Sequence, residues 1–388
     1  MDLLAKPIYM DYSSTTPIDN RVLNAMIPYF TTYFGNPHSS HIYGVEALKA
    51  VKFAREKVAE LIGASSEEVI FTSGATEANN IALRSCAEFL LGLDKNHLIT
   101  TGIEHKSVLE TMKYLSRNGF EITFIRVNRD GLLDLEELQK SIKSNTGLIS
   151  VNTANNEIGV IQPIAQIAAI CKERNILFHT DAVQAVGKIP INVKELGVDL
   201  LTLSGHKIYG PKGIGALYAS KKLMYKLKPI LFGGDQEYSI RPGTVPTPLC
   251  VGLGEACSIS LSEMEMESER LLSLRSLFLD KLMSSCVGFK VNGTLSERIP
   301  GNLSICFDGV DAEALIIAVK NRLAISTGSA CTSSSIEPSH VLLGIGLDEK
   351  DAESTVRITL GRFTTEDEVA EAVDILTAAV KKMRRLYR

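Results

Sequence analysis

Reactive or anion-binding groups follow apolar, strand-like runs at three places in the sequence. Asp181 comes directly after one such run, and Lys207 lies between the run 198–203 and a glycine-rich turn that ends at Gly213. A third run, 68–72, is followed by a turn of small residues and then by Thr76 at the start of a helix-like segment. In open α/β sheets the carboxyl ends of the strands form the edge that binds ligands. The sequence therefore predicts that a carboxylate, an amine and a helix start serve one site.

These three groups match the needs of one ligand, pyridoxal phosphate. The cofactor requires a lysine for its aldehyde, a carboxylate for its pyridine nitrogen and a cradle of N–H groups for its phosphate. His105 opens a helix after another strand, where its ring has room to stack on a flat cofactor. Taken singly, Asp181 is better explained as a helix cap and His105 as a polar helix-start residue. Lys212 is well explained as a solvent-exposed lysine in a turn. That explanation does not suit Lys207, because polar residues flank it directly after a strand.

Cys331 lies in a run of small and hydroxylic residues at 326–335. This composition predicts an exposed, mobile loop, from which a cysteine can enter a site and leave it again. Chemistry through sulfur needs an accessible thiolate, so we interpret Cys331 as a nucleophile in preference to an incidental surface cysteine. The seven cysteines are irregularly spaced and include no CxxC pair, which argues against a zinc knuckle. The other six lie in or beside apolar stretches, where reduced and mostly buried thiols are expected.

Strand-like and helix-period runs alternate through the first two thirds of the chain, which predicts a mostly parallel sheet with helices on both faces. The predicted strands are 68–72, 98–101, 121–127, 147–152, 176–178 and 198–203, and helices are predicted from 76, at 107–115 and at 161–174. After about Gly254 the pattern changes to that of a smaller α+β unit. Its predicted elements are helices at 264–282 and 312–321 and strands at 302–307 and 356–360. Thr365 and Glu368 have the spacing of a capping box that opens a last helix.

Composition narrows the class of protein further. The chain has 388 residues and a formal charge of −4, with 45% hydrophobic and 22% charged residues, which is typical of a globular protein with two or three structural units. It offers no basic footprint for nucleic acid. Its apolar runs are shorter than the roughly 18–20 residues of a membrane span, and its first residues lack the pattern of a signal peptide. These features favour a cytoplasmic protein.

The sequence does not support a dinucleotide site, a nucleotide P-loop or an HxxH metal site. The dinucleotide fingerprint is broken at both of its near matches, because Tyr218 and Cys257 occupy the position of the third glycine. The nucleotide P-loop pattern does not occur. His38 and His41 have HxxH spacing, but they lie in a loop, and we expect them to cap the helix that starts near Tyr43 rather than to bind a metal.

With these residues in place, the chain resembles the cysteine desulfurases of the pyridoxal-phosphate class V aminotransferase group over residues 8–376. The matching motifs are MDYSSTTP at 10–17, GNPHS at 35–39, FTSGATEANN at 71–80, NNEIG at 155–159, DAVQ at 181–184, SGHKIYGPKG at 204–213 and SACT at 329–332. The loop around Cys331 resembles the long-loop subgroup that supplies iron–sulfur assembly and tRNA thiolation. The resemblance implies fold type I, with a seven-stranded sheet in a large domain at 15–258. It implies a small domain from 1–14 and 259–388, which carries the cysteine loop at about 326–338.

The resemblance also implies a role for each site residue. Lys207 holds the cofactor and moves the Cα proton, Cys331 attacks the substrate sulfur, and His105 stacks on the cofactor ring. Asp181 pairs with the pyridine nitrogen and Gln184 bonds the phenolic oxygen. The implied phosphate ligands are Ala75, Thr76, Ser204, His206 and, from a partner subunit, Thr244. The implied ligands of the substrate carboxylate are Asn155 and Arg357, and a bidentate arginine suits that task.

The implied reaction takes sulfur from L-cysteine, leaves L-alanine and places a persulfide on Cys331 for an acceptor protein. The resemblance further implies a homodimer, and a transient [2Fe-2S] cluster that Cys331 shares with a scaffold. Neither a membrane nor direct nucleic-acid binding is expected. Open alternatives are a selenocysteine lyase, another class V aminotransferase, a desulfurase dedicated to DNA phosphorothioation, and a non-catalytic protein that kept the fold. The segment 233–244 departs from the family pattern at Asp235, Tyr238 and Pro242, which leaves partner choice open.

Overall fold

The fold is described from a computed structural model, which covers residues 6–285, 287–328 and 338–386. In these ranges the strands are β1 Ile8–Tyr9, β2 Val69–Thr72, β3 His97–Thr101, β4 Glu121–Ile125, β5 Thr146–Ser150, β6 Leu177–Asp181, β7 Leu200–Ser204, β8 Gly215–Ala219, β9 Lys290–Val291, β10 Asn302–Cys306, β11 Leu323–Ala324 and β12 Thr355–Thr359. The longer helices are α3 Ile42–Leu61, α4 Ala75–Leu91, α5 Lys106–Arg117, α7 Ile164–Glu173, α10 Thr247–Ser284, α11 Ala312–Val319 and α14 Glu366–Leu386. The shorter helices are α1 Asn20–Met26, α2 Pro28–Thr31, α6 Leu135–Ser141, α8 Val193–Leu196, α9 Lys221–Met224, α12 His340–Gly344 and α13 Glu349–Glu353.

Seven strands form one large sheet in the order β2-β8-β7-β6-β5-β3-β4. The strands run parallel except β8, which is antiparallel to both of its neighbours. The prediction of a mostly parallel sheet of seven strands is therefore confirmed. β8 was not predicted from the sequence. It pairs with both β2 and β7, and so it places the turn after β2 near the lysine segment after β7.

Helices cover both faces of this sheet, as predicted. Neighbouring residues of one strand enter different cores, because side chains alternate along a strand. Leu148 and Leu200 pack with α4 and α5 in one core. Ile149 and Leu201 pack in the other, which includes residues of α3, α7 and α10. Burial on both faces explains why these strands appear in the sequence as nearly continuous apolar runs.

A second set of strands belongs to the C-terminal part of the chain. β12, β10 and β9 form an antiparallel sheet, and β1 pairs with β11 in parallel. These strands pack with α11, α14 and the end of α10 around a separate core that contains Phe278 and Phe307. The capping box predicted at the start of α14 is confirmed. The N–H of Thr365 donates to Oε2 of Glu368 at 3.0 Å, and the N–H of Glu368 donates to Oγ1 of Thr365 at 3.2 Å.

The helix predicted at 264–282 begins much earlier, at Thr247, so that boundary was wrong. The glycines near its start, which form one of the two broken dinucleotide fingerprints, lie at a close contact between helices. A Cβ on Gly254 would lie 2.7 Å from the Cα of Ala54 on α3, and a Cβ on Gly252 would lie 2.5 Å from Sδ of Met26. The domain boundary predicted between residues 258 and 259 falls inside α10, and the domain division stays a prediction.

The structure also shows the surroundings of most cysteines and of His41. Five cysteines are free and buried, namely Cys86, Cys171, Cys250, Cys257 and Cys306, while Cys286 and Cys331 lie outside the described residues. His41 caps α3 as predicted, since its Nδ1 accepts from the N–H of Gly44 at 3.4 Å. Within the described ranges no group of side chains is arranged to hold a metal ion. Among those same residues, no helix has the length and apolar character needed to cross a membrane.

Candidate active site

An open cleft of about 890 Å³ lies at the carboxyl edge of the large sheet. The predicted side chains meet in this cleft, because β2, β6 and β7 all end there. Residues from the C-terminal part of the chain close its other side, among them Gly328, Ser339 and Arg357. The predicted site residues that line it are Ala75, Thr76, His105, Asp181, Gln184, Ser204, His206, Lys207 and Arg357.

The turn after β2 presents the N-terminus of α4 to the cleft. Gly74 has φ 152° and ψ 178°, a backbone conformation that is essentially restricted to glycine. The first N–H groups of a helix have no partner inside the helix, and they favour an anion. Ala75 and Thr76 supply such groups here. Glu77 fixes the turn by accepting from Nε of Arg241 at 3.0 Å and from the N–H of Ser73.

Asp181 ends β6 and is buried. Its Oδ1 accepts from the N–H of Val183 at 3.0 Å within a turn, and no described helix begins there, so the alternative interpretation of Asp181 as a helix cap was wrong. Its Oδ2 accepts from Nδ2 of Asn79 on α4 at 2.7 Å. The carboxylate is thus held in place on both oxygens while it lines the cleft.

Lys207 follows β7 in a single turn of 3-10 helix, Gly205–Lys207. Its Nζ donates to the carbonyl oxygens of Ser13 and Ser14, each at 2.6 Å. The Ser13 carbonyl also accepts from Nε2 of Gln184 at 3.0 Å. Lys188 donates to Oε1 of Gln184 at 2.8 Å, and burial together with the charge of Lys207 lowers the pKa of Lys188 to about 7. Lys207 and Lys188 are therefore linked through the Gln184 amide and the Ser13 carbonyl.

Two histidines flank this lysine site. His105 is the N-cap of α5, as its alternative interpretation predicted, and its ring also lines the cleft. Its Nδ1 accepts from the N–H of Ser107 at 3.1 Å and lies 2.8 Å from the Ser107 hydroxyl. His206 lies 3.2 Å from Oγ1 of Thr15 through its Nδ1. Burial, aided by the charge of Lys207, lowers the pKa of His206 to about 4, so its imidazole is neutral near pH 7.

Arg357 on β12 is buried and brings a guanidinium to the far side of the cleft. Its Nη2 donates to Oδ1 of Asp11 at 2.9 Å, to the Ser14 hydroxyl at 2.6 Å and to the Ser326 hydroxyl at 2.9 Å. Its Nη1 donates to the Asn156 carbonyl at 3.0 Å. Nε of Arg357 is buried and has no hydrogen-bond partner among the described residues. The guanidinium is therefore fixed in place where it lines the cleft, and Nη1 has a second N–H beyond the one that it donates to Asn156.

Three predicted residues are not among those that line the cleft. Asn155 is fully buried, and its amide holds the turn 155–159 by donating to the Ile103 carbonyl at 2.8 Å and accepting from the N–H of Glu157 at 2.8 Å. Thr244 is exposed and does not line this cleft. Cys331 lies outside the described residues. The roles given to these three residues stay predictions.

Three residues at the site were given no role from the sequence. Glu157 lines the cleft, while Asn79 and Lys188 contact the lining residues Asp181 and Gln184. Asn79 and Glu157 occur inside quoted motifs, so their position was available, but their partners are distant in sequence. Lys188 lies four residues after Gln184, a spacing that places two side chains on one face of a helical turn. That spacing is the one signal from which its contact was foreseeable.

The residues present fit pyridoxal phosphate. A helix start with a glycine backbone suits the phosphate, a buried carboxylate suits a protonated ring nitrogen, and a lysine amine suits the aldehyde. A Cβ added to Gly74 would meet nothing within 4 Å, so the cradle is open on the side where a phosphate would approach. These residues are the ones that would hold the cofactor.

Known proteins resemble this chain over nearly its full length. The model of the aminotransferase class-V family matches residues 8–371. The cysteine desulfurase IscS of Rickettsia typhi is 51% identical over 384 residues, which cover 99% of this chain and 93% of that protein. A solved NifS-like protein is 37% identical with a TM-score of 0.91, and the match covers 97% of this chain and all of that one. A structure described as SspA in complex with cysteine is 38% identical with a TM-score of 0.81, over 92% of this chain and 99% of that one.

The chain therefore belongs to the pyridoxal-phosphate-dependent class V aminotransferase family. Within that family its fold and its sequence are similar to those of the cysteine desulfurases over nearly the full length. The resemblance seen in the sequence motifs, and the fold class that it implied, are confirmed.

Proposed function

We propose that this protein is a cysteine desulfurase that removes sulfur from L-cysteine, releases L-alanine and holds the sulfur as a persulfide on Cys331. The observation that carries the proposal is the meeting of Lys207, Asp181 and the N-terminus of α4 in one cleft with a buried arginine opposite. The amine, the carboxylate and the helix N-terminus suit the cofactor, and the guanidinium suits the carboxylate of an α-amino acid substrate.

Each residue has a defined task in this reaction. Pyridoxal phosphate, when bound, supplies an electron sink for the bond to the substrate Cα. Lys207 would hold the cofactor and then carry the Cα proton. Asp181 would keep the pyridine nitrogen protonated, and Gln184 would donate to the phenolic oxygen. Arg357 would bind the substrate carboxylate through the second N–H of its Nη1.

The sulfur step belongs to Cys331. Its thiolate would attack the substrate sulfur, and the electron pair of the Cβ–S bond would remain on the substrate carbon, which takes up a proton and leaves as alanine. The persulfide would then pass to a thiol of an acceptor protein. We also propose that the Cys331 thiolate transiently ligates a nascent [2Fe-2S] cluster on a scaffold, where the cluster is cargo. With inorganic sulfide as the sulfur source, a cluster that forms between wild type and the scaffold but not between Cys331→Ser and the scaffold would support that role.

We further propose that the protein works as a homodimer in the cytoplasm. Thr244 is exposed and does not line its own cleft, which supports a role in completing a partner's phosphate site. Large apolar side chains are also exposed along the segment 23–53, for example Phe30, Phe34, Ile42 and Phe53. Exposed apolar surface of this kind marks an interaction face. Sedimentation equilibrium tests the dimer, and a monomer at micromolar concentration would contradict it.

The test of the activity uses purified protein loaded with pyridoxal phosphate. Incubation with L-cysteine should yield alanine and a mass increase of one sulfur on the peptide that contains Cys331. Cys331→Ser should keep the cofactor and lose the persulfide, whereas Lys207→Ala should lose covalent attachment after borohydride reduction. Formation of a keto acid in place of alanine would favour an aminotransferase. Preference for selenocysteine over cysteine would favour a lyase.

A further inference from the structure

Glu157 is a buried residue that lines the cleft and has no role in the chemistry described so far. It contacts both ends of the segment that carries Cys331. Gly328 is the last described residue before that segment, and Pro338 and Ser339 are the first two after it. One carboxylate therefore meets two points of the chain that are eleven positions apart.

The C-terminal end is held through Ser339. The hydroxyl of Ser339 donates to Oε2 of Glu157 at 2.5 Å. The same hydroxyl oxygen accepts from the N–H of Val341 at 3.1 Å and of Leu342 at 3.3 Å, so Ser339 is also the N-cap of α12. Val341 and Leu342 pack in a buried cluster with Ile158, the residue next to Glu157. This end is thus fixed by a hydrogen bond and by apolar packing.

At the N-terminal end, Gly328 packs closely against the same carboxylate. A Cβ built on Gly328 would lie 2.1 Å from Oε2 of Glu157, so the carboxylate directly faces the Cα of that glycine. A side chain of any size at 328 would displace either the carboxylate or the backbone. Two residues earlier, Ser326 is bound to Arg357 in both backbone directions, at 2.7 and 3.3 Å. The chain therefore enters the cysteine segment from a fixed point beside the arginine proposed to bind substrate.

Glu157 itself has little freedom. Its N–H donates to Oδ1 of Asn155 at 2.8 Å, and its carbonyl accepts from Nδ2 of Asn302 at 3.2 Å. Asn155 is anchored in turn on the Ile103 carbonyl, next to the end of β3. The backbone of Glu157 is therefore fixed in the turn 155–159, and its carboxylate extends from that fixed point.

We propose that Glu157 is a positioning residue for sulfur transfer: by clasping Gly328 and Ser339 it fixes both ends of the segment 329–337 and so sets the reach of Cys331 to the substrate sulfur. This Glu157 clasp, made of Gly328, Glu157 and Ser339, rests on the proposed function for its chemical consequence. It acts on the step at the cysteine thiol and leaves cofactor and substrate binding untouched.

The experiment compares wild type, Glu157→Ala, Gly328→Ala and the double variant, all loaded with pyridoxal phosphate. Glu110→Ala is the matched control, because Glu110 lines the same cleft and pairs with Lys113 on the surface. In Glu157→Ala and Gly328→Ala we expect the cofactor content and the absorbance change on adding cysteine to stay within about threefold of wild type. The single-turnover rate of persulfide formation on Cys331, followed by mass spectrometry, should fall at least about tenfold.

The double variant gives the sharpest outcome. Once the carboxylate is gone, a Cβ at residue 328 has nothing to displace, so the double variant should be no slower than Glu157→Ala alone. The proposal is overturned if Glu157→Ala forms persulfide at the rate of Glu110→Ala, if the two effects add, or if Glu157→Ala loses the absorbance change with cysteine to the same extent as the persulfide.

A second measurement is independent of the reaction. Thermolysin cuts on the amino side of residues such as Ile336, which lies between the two clasped ends. Cleavage there should be at least about threefold faster in Glu157→Ala than in wild type or Glu110→Ala. The melting temperatures of the three proteins should be equal. If wild type forms no persulfide, the proposed function fails, and the cleavage rate alone tests the Glu157 clasp. Equal cleavage rates in wild type and Glu157→Ala would then overturn it.

Discussion

Asn79 on α4 donates its amide to Asp181 at the end of β6, with 2.7 Å between Nδ2 and Oδ2. The same amide nitrogen donates to the Ser107 hydroxyl at 2.8 Å, and that hydroxyl lies 2.8 Å from Nδ1 of His105. The carboxylate and the imidazole that are proposed to contact one cofactor ring are thus linked by two neutral side chains. Asn79 is fully buried, so this link is shielded from water.

Replacement of Asn79 by alanine should weaken pyridoxal phosphate binding about tenfold or more, because a hydrogen bond to a charged group contributes about 1.5–3 kcal/mol. Titration of the apo-protein with the cofactor, followed by absorbance, measures the affinity. Ser107→Ala is the control, since it removes the other partner of the amide and keeps the bond to Asp181. Equal affinities of Asn79→Ala and wild type would show that Asp181 is positioned without this contact.

Gly74 supplies the second prediction. Its backbone conformation strains any other residue, and Gly74→Ala should destabilise the protein by about 1–3 kcal/mol and also weaken cofactor binding. Gly119 is a matched control, because it too has a positive φ, 92°, with open space where a Cβ would lie, but it is outside the cleft. Gly119→Ala should lower the melting temperature and leave the cofactor affinity unchanged. Loss of affinity in both variants would contradict a specific role for the turn.

Much of the site was foreseeable because its residues follow strands. The apolar runs before Asp181 and Lys207 are buried on both faces, so their pattern is strong, and parallel strands bring their carboxyl ends to one edge. β8 was not foreseeable in the same way. It follows a glycine-rich turn directly and needs no helix before it, because it pairs antiparallel with β7.

The contacts that fix the site were much harder to predict. Asn79 and Asp181 are 102 residues apart, and Glu157 and Ser339 are 182 apart, so local periodicity carries no trace of either pair. The early start of α10 was missed for a related reason. Gly254 disfavours a helix by its intrinsic propensity, but its close packing on Ala54 of α3 requires a residue without a side chain. Tertiary packing decided both cases.

The capping box at the start of α14 gives a prediction about stability alone. Thr365→Ala removes the hydroxyl that accepts from the N–H of Glu368, and it should lower the free energy of unfolding by about 1 kcal/mol. Desulfurase activity at 25 °C should be unchanged. Ser116→Ala, on the exposed surface of α5, is the control and should change stability by less than about 0.5 kcal/mol. Urea denaturation measures both, and equal effects would contradict the cap.

Glu104 gives the stability of the protein a pH dependence. It is fully buried next to His105, and its Oε2 has no hydrogen-bond partner among the described residues. Burial, reinforced by the charge of Asp181, raises the pKa of Glu104 from 4.5 to about 8. Between these two pH values the folded protein keeps the proton while the unfolded chain has lost it. The unfolded state then binds fewer protons, so the free energy of unfolding falls as the pH rises through this window.

Glu104→Gln replaces the protonated carboxyl by a neutral group of similar shape and removes the titration. Its stability should be near that of wild type at pH 5. At pH 8.5 the variant should be the more stable protein, by on the order of a few kcal/mol. Urea denaturation of both proteins across this range measures the difference. A difference in the free energy of unfolding that did not change with pH would contradict the prediction, because Glu104 would then carry a charge in the folded protein. Its carboxylate would need a stabilising partner beyond its present contacts with Thr101 and Asn152.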